Sequence, residues 1–240
     1  MTKGDAAMAK RRRISKKKLK EPDEFVSTAA RMILWTKENL KLILVGAIIV
    51  ALIVFSIVLW RIRMKTREAE AFNLLHRASE VLSKAEEDPS SRDYQEALDE
   101  FERIRREYPR TQASQLAQLQ LGHGFLNSKQ YDKAAQTYRQ FLDNNPGESL
   151  YHLFALQNLG YAYEGQGDYQ KALDSFRELV DMGESFLQPW GYLNMGRCYE
   201  KLDKREEALR TYRVFLEKFP DSTMALMIRN KVGTLEGKER

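Results

Sequence analysis

The sequence predicts an all-α protein, with a single N-terminal transmembrane helix followed by a stack of helical hairpins. Two observations carry that reading. Residues Leu42 to Trp60 form an uncharged, almost wholly apolar run of 19 residues, bounded by Lys41 and Arg61. At about 1.5 Å per residue, a helix of this length matches a hydrocarbon core of about 30 Å. Beyond it, three segments repeat a common pattern around Leu/Met-Gly-x-x-aromatic: Leu121-Gly122-x-x-Phe125, Leu159-Gly160-x-x-Tyr163 and Met195-Gly196-x-x-Tyr199.

Charge divides the chain in the same place. Residues 1–65 hold 15 Lys/Arg against 5 Asp/Glu, whereas residues 66–240 hold 24 against 29. The basic character therefore belongs to the tail and the membrane flanks. The larger part has no basic excess with which to neutralise phosphates, so nucleic acid is excluded as a partner.

Residues 1–24 read as a basic, disordered cytoplasmic tail carrying Lys10-Arg11-Arg12-Arg13 and Lys16-Lys17-Lys18. Residues 25–40 read as an amphipathic helix at the membrane interface, with Phe25, Ala29, Met32, Ile33 and Trp35 set among Arg31, Lys37 and Glu38. A contact helix for a membrane partner is the other reading of this stretch. Residues 41–61 are the span itself, so residues 25–61 meet lipid. The run lacks a small-residue cleavage site and ends in Trp60-Arg61-Ile62-Arg63, which makes it an uncleaved anchor. The positive-inside rule keeps the short basic tail in the cytoplasm and exports the rest. Arg61, Arg63, Lys65 and Arg67 are a counter-signal at the other end.

Residues 62–240 form the repeat domain. Twelve residues after each repeat glycine comes an alanine (Ala134, Ala172, Ala208), and four later an aromatic (Tyr138, Phe176, Tyr212). Three residues further on stands an apolar side chain (Phe141, Leu179, Phe215). Two copies end in proline, Pro146 and Pro220, and the middle one has Glu184 there. The glycine spacing is 38 and then 36 residues. This is the pattern of a helical hairpin in which glycine and alanine let two helices approach and proline stops the second. No single hairpin buries its apolar face alone, so the copies must stack.

These residues resemble the tetratricopeptide repeat, and the resemblance implies a right-handed α-solenoid. The copies span 115–148, 153–186 and 189–221. A degenerate copy at 66–110 precedes them, with Ala71, Leu75, Ala78 and Leu82 on one helix face, then Tyr94, Ala97, Phe101, Ile104 and Pro109. A capping helix at 222–237 follows, carrying Met224, Ala225, Ile228 and Val232.

The resemblance also implies a protein-binding groove lined by the first helix of each pair. The matching positions are Leu119, His123 and Leu126 in the first full copy. In the second they are Phe154, Gln157 and Tyr161. In the third they are Trp190, Leu193, Arg197 and Lys201. This mixed apolar and aromatic set suits a protein or peptide segment better than a small molecule. Packing between hairpins is the other reading of these side chains. Some members clamp a C-terminal carboxylate, and Asn158 and Asn194 sit at one relevant position. Leu119 and His123 stand where a clamp expects Lys and Asn, which leaves that set incomplete.

Catalytic and cofactor chemistry finds little to work with. His76, His123 and His152 are scattered, with no metal-ligand spacing. Cys198, the single cysteine, reads as a small buried hydrophobe in a helix. Gly165-Gln166-Gly167-Asp168 reads as a turn within a repeat. No enzymatic activity and no cofactor are expected.

The order of parts, with a helix running from the span straight into the first repeat, resembles the ancillary subunit family of the bacterial Sec translocon. That resemblance implies an inner-membrane protein with periplasmic repeats that meet exported chains, the SecYEG channel and periplasmic chaperones. The same layout also fits an envelope-assembly or cytochrome-maturation scaffold, or a receptor with cytosolic repeats.

Overall fold

The computed structural model describes residues 24–147, 149–183 and 186–237. The basic tail and Glu184 lie outside the described residues. Among those described there are ten α-helices and no strand. The chain divides into two units, 1–62 and 63–240.

In the first unit, α1 spans Glu24–Glu38 and α2 begins at Leu40. Between them Asn39 donates its side-chain amide to the Trp35 carbonyl at 2.8 Å. Met32, Ile33, Leu34 and Trp35 of α1 are exposed. Helix α2 runs from Leu40 to Lys84, so the apolar run is the first half of one 45-residue helix rather than an element of its own. Its length and composition suffice to cross a membrane, and none of its most apolar window is buried within the protein.

The second unit starts with the remainder of α2. The stripe that sequence placed on one face, Ala71, Leu75, Ala78 and Leu82, is the buried set of this helix. Then follow α3 (Arg92–Glu107), α4 (Gln112–Asn127), α5 (Tyr131–Asn144), α6 (Leu150–Gln166), α7 (Tyr169–Asp181), α8 (Gln188–Lys201), α9 (Arg205–Lys218) and α10 (Ala225–Gly237). From α3 onward each helix packs on the next.

Local chemistry sets the helix ends. Ser91, Thr111, Ser149 and Asp168 each accept a backbone N–H three residues on, which satisfies a donor left free at a helix start. Pro189 stands in the first turn of α8, where its missing N–H costs nothing. Helix α6 extends through Gly165 and Gln166, and the turn expected in this stretch falls on Gly167 and Asp168. Gly167 makes the bend, at φ +80°. The matching positions of the neighbouring repeats, Lys129 (φ +59°) and Asp203 (φ +56°), adopt the same left-handed conformation without the glycine that relieves it. Helix α10 begins at Ala225, three residues later than the repeat pattern suggests, because Ser222 accepts the Met224 N–H and holds a turn there.

The core runs along the seam between paired helices. Tyr94, Phe101, Tyr138, Phe141, Phe176, Tyr212 and Phe215 are among its largest fully buried side chains. The Gly160 backbone lies directly under the Phe176 ring, and Gly122 and Gly196 lie likewise under Tyr138 and Tyr212. Burial of one such aromatic contributes about 1.5–3 kcal/mol.

Two residues of α2 tie it to the connection between α3 and α4. The Glu68 carboxylate accepts the Gln112 and Ala113 N–H groups at 3.2 and 3.1 Å, at the positive end of α4. The Arg67 guanidinium donates to the Glu107 carbonyl at the negative end of α3 and lies 5.5 Å over the Tyr108 ring. Sequence reading counted Arg67 only as a membrane-flanking charge, because nothing local marks its partners 40 residues away.

Candidate protein-binding face

Helices α4, α6 and α8 are the first helices of the three full repeats, and aligning Gly122, Gly160 and Gly196 brings their residues into register. One column holds Leu116, Phe154 and Trp190. The next holds Leu119, Gln157 and Leu193, and a third His123, Tyr161 and Arg197. Helix α4 packs on α6 directly, and side-chain bonds join α6 to α8.

The first column is open at α6 and α8, while Leu116 packs half-buried against the core. Phe154 is 36% exposed and meets Phe186 edge-on, with ring centroids 5.9 Å apart. Trp190 is 43% exposed. Leu150, Tyr151 and Phe186 are exposed as well, so the starts of α6 and α8 carry a cluster of large uncovered apolar side chains. Sequence reading missed Phe186 because it lies in the turn before α8, outside the helical register.

The centre is a polar network. The Tyr161 hydroxyl accepts hydrogen bonds from Gln157 Nε2 and Asn194 Nδ2, each at 3.1 Å. Asn194 is 1% exposed, so it positions Tyr161 from beneath. The Tyr161 ring also packs edge-on against Phe176, at 5.6 Å. Arg197 Nε donates to Glu164 Oε1 at 3.0 Å, and a second guanidinium N–H donates to Glu164 Oε2. The Arg197 guanidinium stands 6.0 Å from the centre of the Tyr161 ring. The Cys198 thiol points at the same carboxylate, 3.6 Å away. Burial, reinforced by that negative charge, pushes the thiol well above its ordinary range, which disfavours the thiolate.

The structure thus joins Gln157, Tyr161 and Arg197 in one network, with Phe154 and Trp190 exposed on the same two helices. Leu119 and Leu126 are half-buried against the core. His123 is half-buried within 3.1 Å of Asn127 Nδ2 and 3.8 Å of Glu86. Lys201 is exposed at the end of α8. Leu193 needs correction. It is 7% exposed and packs in the core formed with α9 and α10, so it supports the face instead of lining it. Its register position turns inward because α8 must also cover Ala208 and Tyr212. Among the described residues no group of three or more His, Cys, Asp or Glu side chains could hold a metal ion.

A family model described as a tetratricopeptide repeat-like domain matches residues 34–237. Over 156 residues the chain is 26% identical to the Homo sapiens intraflagellar transport protein 88 homolog, which covers 65% of this chain and 18% of that one. The fold is similar to a tetratricopeptide repeat protein from Parabacteroides merdae, with a TM-score of 0.57 and 17% identity over 70% of this chain and 60% of that one. It is also similar to MamA from Desulfovibrio magneticus, with a TM-score of 0.51 and 20% identity over 63% and 78% of the two chains. The chain therefore spans under a fifth of its human relative's length and 60% of the Parabacteroides protein, and likenesses at these identities carry the fold.

Proposed function

The chain belongs to the tetratricopeptide repeat-like family, and on that premise we propose that it is a membrane-anchored, non-catalytic scaffold for protein segments. In this reading it is an ancillary subunit beside a Sec-type export channel in the bacterial inner membrane. Its basic tail faces the cytoplasm, and its repeats meet exported chains and periplasmic chaperones.

The observation that carries the anchor is the apolar half of α2, where no side chain of the most apolar window is covered by the rest of the protein. An uncovered helix surface of this size in water opposes the hydrophobic effect, and lipid removes that cost. Orientation rests on the 12 Lys/Arg among the first 41 residues. The smaller cluster of Arg61, Arg63, Lys65 and Arg67 on the other side opposes this signal, and the longer basic tail outweighs it.

Protease added to intact spheroplasts, with a C-terminal tag followed by blotting, tests the orientation. Digestion of residues 66–240 is the expected result. Full protection until lysis overturns it and moves the repeats to the cytosol. Photo-crosslinkers at Tyr161, Trp190 and Arg197 test the scaffold role. Capture of a partner from these positions, and not from the exposed side of α5 and α7, is expected.

A further inference from the structure

Charge is distributed very unevenly between the two helices of each repeat. Helix α4 contains no Asp, Glu, Lys or Arg in 16 residues, and α6 contains only Glu164. Helix α8 adds Arg197, Glu200 and Lys201. The second helices are the opposite, and α3 alone carries ten charged residues in 16. The few charges on the first helices are largely spent within the protein. Glu164, whose side chain is 14% exposed, is bound by Arg197 through two nitrogens. Glu200 accepts Lys231 Nζ at 2.7 Å and the Tyr212 hydroxyl.

Resting on the scaffold reading, we propose that the α4–α6–α8 face selects an uncharged, extended polypeptide segment bearing aromatic or aliphatic side chains. Phe154 and Trp190, in register on adjacent first helices and both exposed, offer the anchors for those side chains. Gln157, Tyr161 and the half-buried His123 supply amide, hydroxyl and imidazole groups suited to peptide backbone rather than to ions. A ligand carboxylate reaching Arg197 meets a guanidinium whose charge Glu164 already balances through two N–H groups, so an acidic ligand or free C-terminus gains little net attraction there. A ligand ammonium meets no uncommitted carboxylate on α4 or α6, since Glu164 is already paired. An anionic lipid headgroup finds no Lys or Arg on α4 or α6, and α8 offers only Arg197, paired with Glu164, and Lys201 at its very end. The complementarity is one of neutrality, and neutral contacts are not screened by salt.

The experiment uses the full chain in nanodiscs and three fluorescent peptides of equal length. One is a neutral apolar–amide sequence, and the other two carry regularly spaced Asp or Lys. The neutral peptide is expected to bind best, with its Kd changing less than about twofold between about 0.05 and 0.5 M salt. Trp190→Ala and Phe154→Ala are each expected to weaken it about tenfold, with Trp190→Phe restoring most of the loss. Both side chains are exposed, so the variants keep the fold, which helical circular dichroism verifies. Preference for a charged peptide, or affinity falling steeply with salt, overturns the proposal while crosslinking from Tyr161 upholds the scaffold reading. Crosslinking of lipid in place of peptide from position 186 overturns it in favour of membrane docking. Failure of all three peptides to crosslink from Tyr161 overturns both.

Discussion

Replacing Gly160 by alanine asks whether the repeat is locked by an aromatic ring lying on helix backbone. A Cβ at Gly160 would stand 2.5 Å from Phe176 Cζ and 2.8 Å from Cδ1, far inside van der Waals contact. Phe176 is fully buried and held at its edge by Tyr161, so the ring has no free direction of retreat. Overpacking of this kind costs about 1–3 kcal/mol, and the geometry points to the upper end. Alanine returns about 1 kcal/mol of helix propensity, leaving a net loss of about 2 kcal/mol. For a domain of this size, about 2–4 °C per kcal/mol converts that to a fall in Tm of about 4–8 °C. Gly233→Ala in α10 is the internal control, since nothing lies within 4 Å of its Cβ position. That variant keeps only the propensity gain, a rise of about 2–4 °C. Thermal melts of both variants in detergent, followed by helical circular dichroism, make the comparison. Hydrogen exchange should place the Gly160→Ala loss in α6 and α7, because repeats are coupled mainly to their neighbours. Equal shifts of the same sign in the two variants would refute the packing explanation.

Other substitutions probe the remaining supports. Glu68→Ala removes both acceptor contacts at the start of α4 and should lower stability by about 1 kcal/mol in urea titrations; an unchanged midpoint would show that Thr111 suffices as the cap. Cys198 should resist iodoacetamide in the native protein at pH 8 and react only on unfolding, because it is fully buried with its thiol pushed up by desolvation; rapid native labelling, read by mass spectrometry, would contradict this. At the start of α7, the Lys171 ammonium and N–H hold the Asp168 carboxyl below its ordinary range. A folded-state pKa below the unfolded value adds stability above about pH 4 that is lost as pH falls through the lowered pKa. Asp168→Asn should therefore flatten the acid limb of the stability profile, and an unaltered limb would count against the pair.

The sequence alone determined the α-helical class, the apolar run and the repeat. Each is a local pattern: an unbroken stretch of apolar residues, a fixed 36- to 38-residue period, and helical spacing of small and aromatic side chains. The α2 stripe from Ala71 to Leu82 was legible for the same reason. What only the tertiary structure decided involves partners far apart in the chain. Whether Leu193 faces outward depends on how α9 and α10 lie over α8, which the register of a single helix does not contain. That Arg197 is already paired depends on Glu164, 33 residues earlier in another helix. The roles of Arg67 and Glu68 required α2 to pass the α3–α4 connection. Periodicity states which side of a helix is apolar, but the identity of the neighbour on that side comes from packing, and the chemistry of the binding face follows from those neighbours.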